Sequence, residues 1–185
     1  MIFLWYKEIN FSDDVTQGDI IVNCPIPLPN SSLYQAALAF KSEVSDPIDV
    51  KQADIIILSQ ACDIINNKID SLVVCPVWTL KQLIESNEYY KGTKAKERLR
   101  QGNEPAYHLL NNYKSENINL DYSIVDFHRI YSLPKDYLKS FAININFRLR
   151  LLPPYREHLS QAFARFFMRV GLPLDIDKES IKNIN

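Results

Sequence analysis

The sequence predicts an α+β fold: a small, mostly antiparallel β-barrel, closed or half-closed, with inserted helices and an amphipathic helix at its C-terminal end. Three observations carry that expectation. Two short apolar runs, Ala53 to Leu58 and Leu72 to Val77, are bounded by polar residues and read as buried strands. From Phe141 to Leu152, Ile143, Ile145, Phe147, Leu149 and Leu151 alternate with Asn144, Asn146, Arg148 and Arg150, the period of a strand with one core face and one wet face. After Pro153-Pro154, the residues Leu159, Ala162, Phe163, Phe166, Phe167 and Val170 fall on one helical stripe that Gly171 and Pro173 close.

The remaining elements follow in chain order. Asp19 to Asn23 follows the turn-like Gln17-Gly18 and reads as a first strand, closed by a loop containing Pro25, Pro27 and Pro29. Ser32 with Gln35 forms a capping-box pattern before a short helix that Asp46-Pro47 ends. Between the two apolar runs, Asp63, Asn66 and Asn67 supply turn residues, so those strands pair as an antiparallel hairpin or meander. Thr79 with Gln82 is a second capping box, opening a helix that the basic stretch to Arg100 can continue. Tyr122 to Ile130 reads as a further strand, and Leu133-Pro134 starts a turn or helical turn through Leu138.

At 185 residues and 46% hydrophobic, the chain can bury a substantial core. We expect one domain over residues 1–174 and a polar tail over 175–185. A charged fraction of 23% and a net charge of -1 give no support to general polyanion attraction or to disorder. The first 54 residues are nevertheless acidic, which leaves the remainder basic. The apolar start before Lys7 is too short for a signal-peptide core, and no run approaches the roughly 18 apolar residues of a membrane span, so a cytoplasmic protein without membrane contact is expected. Cys24, Cys62 and Cys75 are odd in number and widely spaced, which fits reduced thiols. Those cysteines and the three histidines include no close ligand pair, so neither a metal nor another cofactor is expected.

Several residues are candidates for chemistry. Cys62-Asp63 stands where a buried strand meets a turn. A Cys62 thiolate would need a base or cation, which His128 or Arg129 could supply; the alternative is a small buried Cys62 beside a turn-capping Asp63. Within one strand Asp126 and His128 share a face, but an i, i+2 pair is normally too far apart for a good hydrogen bond. His128 is thus either a general acid/base or a partly exposed strand residue. Lys94, Lys96, Arg98 and Arg100, near Tyr89, Tyr90 and Tyr107, together with Arg148 and Arg150, are cations beside aromatics, the ingredients of single-stranded RNA binding. The same patch could grip an acidic partner protein or a second copy of the chain.

The strand beginning Gly18-Asp19-Ile20-Ile21, the segment IIILSQACDIINNKIDSLVVCPVWT and the strand YSIVDFHRI resemble the PemK/MazF-type toxins over roughly residues 15 to 171. The resemblance implies an SH3-like barrel with a C-terminal helix, a bacterial toxin, mobile-element or phage-defence setting, and in known members metal-independent endoribonuclease activity. Ala53-Asp54 stand where the family has a catalytic Arg, and Trp78 where it has small polar residues, while Thr79 keeps a hydroxyl. The expected role is therefore a non-catalytic module binding RNA or a protein, with the alternative of a ribonuclease using Cys62, Asp63, Thr79, His128 and Arg129. Ser59, Gln60, Cys62 and Asp63 also resemble a Ser-polar-x-Cys-Asp/Glu motif of uncharacterised bacterial proteins, which adds Gln60 to the binding candidates.

Overall fold

The structure, a computed structural model, describes residues 3–40 and 48–168. The expected stops at Asp46-Pro47 and Gly171-Pro173, Val170 of the stripe and the tail from Asp175 lie outside these residues. In chain order the elements are β1 (Tyr6–Asn10), β2 (Asp19–Leu28), α1 (Ser31–Leu38), β3 (Asp49–Ile57), α2 (Ala61–Ile65), β4 (Ser71–Thr79) and α3 (Leu80–Ser86). After a 3-10 turn at Glu88–Lys91 come α4 (Thr93–Arg100), β5 (Tyr107–Leu110), β6 (Tyr113–Lys114), β7 (Asn119–Leu120), β8 (Ser123–Asp126), β9 (Tyr131–Pro134), α5 (Lys135–Ile143), β10 (Phe147–Leu151) and α6 (Tyr155–Phe167).

One antiparallel sheet runs in the order β1-β10-β2-β3-β4-β8-β5, with β9 pairing β4 beside β8. The sheet is not closed by a backbone ladder between β1 and β5. Its ends are joined by side chains instead: the Tyr6 hydroxyl donates to the Asn111 carbonyl at 2.7 Å and that of Tyr113 to Glu8 at 3.0 Å.

The apolar runs lie in the middle of the sheet and are buried on both faces, which is why they read as continuous rather than alternating. Ile55, Ile57, Leu72 and Val74 point toward a core covered by Leu138 and Ala142 of α5. Ile56, Cys75, Val77 and Val125 point the other way, onto Leu159 and Phe163 of α6. A third cluster packs α3 and α4, through Leu83, Ala95 and Leu99, over Ile124 and Trp78.

The antiparallel β3–β4 pairing and the Thr79/Gln82 capping box are as the sequence indicates. Other expectations are corrected. The first helix is capped by Asn30, whose Oδ1 accepts from Leu33 N at 3.1 Å, not by Ser32. Asn87 ends α3 and Gly92 opens α4, so the basic stretch is a separate helix. Residues 141–143 finish α5, because Leu138, Phe141, Ala142 and Ile145 also satisfy a helical period against the first core. The strand there shortens to β10, and β1, buried only at Tyr6 and Ile9, is a strand that no sequence period announces.

Arg148 is not on a wet face. Its side chain is 1% exposed: Nε donates to Asp19 Oδ2 at 2.8 Å, and its Nη atoms donate to the carbonyls of Asn10, Asp13 and Asp14. Arg150, directly across from Asp19 in the β10–β2 register, donates to the same carboxylate. Gly18 sits beside this clasp at φ +83°, where a Cβ would meet the Leu151 carbonyl at 3.1 Å, so both members of Gly18-Asp19 have structural work there.

Candidate functional site

The expected strand Tyr122 to Ile130 is interrupted, and the interruption builds the site. β8 pairs with Val77 to Thr79 and β9 with Ser71 to Val74, so residues 127–130 loop out opposite Cys75 and Pro76. The cause lies in β4. Val73 N–H donates to Ser59 Oγ, on the β3 side, so by alternation the Pro76 nitrogen faces β8 and β9 and has no hydrogen to offer. The loop is anchored by Phe127, fully buried against Phe163 and Phe166, and by its N–H, which donates to the Ala106 carbonyl.

The excursion turns Asp126 and His128 toward each other, which a straight strand does not do. Asp126 Oδ1 accepts from the His128 backbone N–H at 3.0 Å and lies 2.9 Å from His128 Nδ1. Asp126 is nearly buried and His128 exposed. With an acceptor fixed on Nδ1, that nitrogen carries the ring hydrogen and Nε2 presents a lone pair when the ring is neutral.

Beside this pair lies a cavity of about 330 Å³ lined by Trp78, Gln82, Leu83, Ser86, Tyr107, Asp126 and Arg129. The Trp78 ring is approached by two cations, Lys51 Nζ at 5.0 Å and the Arg129 guanidinium at 5.8 Å from the ring centre. Tyr107 stands edge-on to His128, and burial, then the Asp126 carboxylate, push its phenol pKa up. The wall is therefore aromatic, its rim cationic, and its floor carries one carboxylate and one phenolic donor.

The other candidate residues are dispersed. Cys62 and Asp63 lie on the helical turn α2, outside the lining of this cavity. Cys62 is exposed, not a buried hydrophobe, while Asp63 pairs with Lys68 at 3.6 Å. Gln60 precedes α2 and is also exposed. Ser59 of the same motif replaces a ladder partner for Val73, a structural duty. Thr79 spends its hydroxyl on the Gln82 cap, accepting from Gln82 N and donating to Gln82 Oε1. Lys94, Lys96, Arg98 and Arg100 are exposed on α4, with Arg98 held by Glu104 and Arg100 by Glu97. Arg148 and Arg150 clasp Asp19.

Comparison with protein-family models finds no match, and comparison with curated proteins finds none either. Cys24 and Cys75 are buried, their thiols pushed up by burial to about 11 and 12, so neither supplies a thiolate. No three His, Cys, Asp or Glu side chains are gathered as a metal would need, and no helix is long and apolar enough to cross a membrane, among the described residues.

Lys51 and the exposed part of Trp78 escape the sequence reading. A Trp closing an otherwise buried strand is a visible signal; its partner Lys51, in the neighbouring strand, is not.

Proposed function

We propose that the protein binds single-stranded RNA, with Trp78 as the platform for one base and Lys51 and Arg129 as its phosphate contacts. The observation that carries this reading is the Trp78 ring, which lines a 330 Å³ cavity together with Arg129 and is approached by two cations, Lys51 and Arg129. The partly exposed Trp78 ring offers a stacking surface that accepts any base, and the cations beside it neutralise the backbone. Lys94 and Lys96 are exposed on α4, the helix whose Ala95 and Leu99 pack in one cluster with Trp78. Together with the resemblance to PemK/MazF-type toxins, this describes a diverged, opened barrel serving as a binding module in a toxin, mobile-element or phage-defence setting. Titration of a labelled single-stranded RNA with wild type and Trp78→Ala tests it; retention of a protein partner without RNA affinity would instead favour the protein-binding reading.

A second reading, metal-independent RNA cleavage, is favoured by the Asp126–His128 contact. His128 Nε2 would take the proton of a ribose 2′-hydroxyl as its oxygen attacks phosphorus, Arg129 would balance the charge, and the 5′-oxygen would leave with a proton from solvent. The protein supplies no nucleophile in this reaction, so Cys62 has no part in it. Cleavage that persists with chelator and is lost in His128→Ala supports this reading; intact RNA at enzyme excess removes it.

A further inference from the structure

β5 sends alternate side chains to opposite faces of the sheet. Tyr107 lines the cavity described above, and His108 points the other way, beside α6. His108 is 5% exposed, and none of the side-chain hydrogen bonds among the described residues reaches its ring. Among those residues the side-chain nitrogen or oxygen sealed from solvent without a partner is Thr16 Oγ1, so the His108 nitrogens owe their accessible area to the space they line. His108 lines two such spaces, a small one of about 110 Å³ beside Glu104 and Arg165 and a larger one of about 370 Å³, the latter within the usual range for small-ligand sites.

Its walls define a chemistry. Trp5 and Tyr155 stack at 3.8 Å between ring centres and 12° between planes, forming a flat aromatic side. Leu99 and Leu109 add apolar surface. Burial, helped by His158 and Arg165, lowers the His108 pKa to about 3, so at neutral pH the ring offers one donor and one acceptor and no charge. Arg100 at the rim is already neutralised by a two-point contact with Glu97 at 2.6 and 2.7 Å.

We propose that this cavity binds a neutral, planar heteroaromatic molecule that makes one hydrogen bond to the His108 nitrogen facing the cavity. The site is independent of the RNA reading, because it shares no lining residue with the Trp78 cavity.

The test is calorimetric titration of the full chain with benzimidazole, indole and indane, flat molecules of one size that carry a donor and an acceptor, a donor alone, and neither. Benzimidazole, which can offer that nitrogen either a donor or an acceptor, should bind about fivefold or more tighter than indane, as one hydrogen bond requires, with indole no tighter than benzimidazole. His108→Leu should erase the ranking, and Trp78→Ala should leave it unchanged. If His108→Leu does not fold, Tyr155→Ala serves in its place and should weaken benzimidazole about fivefold or more by removing the aromatic wall. Equal binding of benzimidazole and indane, a ranking that survives His108→Leu, benzimidazole binding undiminished in Tyr155→Ala, or its loss in Trp78→Ala would overturn the proposal.

Discussion

Asp126 Oδ1 holds His128 twice, by the backbone N–H at 3.0 Å and by ring Nδ1 at 2.9 Å. This contact exists because Pro76 interrupts the β4 ladder and lets Phe127 to Ile130 leave the sheet. It fixes the tautomer: at a pH where the His128 ring is neutral, long-range proton–nitrogen NMR should show the hydrogen on Nδ1. Asp126→Ala should move it predominantly to Nε2. Wild-type protein already carrying the hydrogen on Nε2 would contradict the geometry.

The clasp of Asp19 by Arg148 and Arg150 is a buried charge network, so its cost appears when one partner is removed. Asp19→Ala leaves Arg148 buried without a counter-charge and should lower unfolding free energy by about 3–5 kcal/mol in urea denaturation. An effect under about 1 kcal/mol would mean that Arg148 is hydrated in solution.

Much of this fold is legible in the sequence where the determinants are local. The run Ile55 to Ile57 and the Thr79/Gln82 box each declare themselves within a few residues. Arg148 does not, because what buries it is Asp19, 129 positions away. Nor does the Asp126–His128 contact, since the break in their strand is dictated by Pro76 in a neighbouring strand. The helical alternative at residues 138–145 competes with strand alternation over the same apolar residues, and packing on the first core decides it.

The three thiols should differ in reactivity. Cys62 is exposed on α2, whereas Cys24 and Cys75 are fully buried. Native protein should react rapidly with a thiol reagent at one site, lost in Cys62→Ala, and at all three after unfolding. Fast labelling of two or three thiols in the native state would show a looser core.

His108 gives stability a pH dependence whose sign is set by burial. Its folded pKa of about 3 lies below the ordinary 6.5, so the unfolded chain takes up the proton first as pH falls. Its contribution is complete above 6.5 and is lost between 6.5 and 3, at up to about 1.4 kcal/mol per pH unit. His108→Leu should flatten the curve of stability against pH in that window. Parallel curves for the two proteins would show that the ring is solvated.

If Lys51 and Arg129 contact phosphates, each should contribute about 0.7 to the slope of log affinity against log salt, so Lys51→Ala and Arg129→Ala should each reduce that slope. Anisotropy titrations at several salt concentrations measure it. An unchanged slope in both variants would place the phosphates elsewhere.

The most direct test of RNA binding at Trp78 is the affinity of a short fluorescent single-stranded RNA for wild type and Trp78→Ala, followed by anisotropy. Loss of one stacked base, about 1–3 kcal/mol, predicts roughly 5- to 150-fold weaker binding, with Trp78→Phe retaining most of the affinity. Absence of saturable binding to wild type, or equal affinity in Trp78→Ala, would contradict the proposed function.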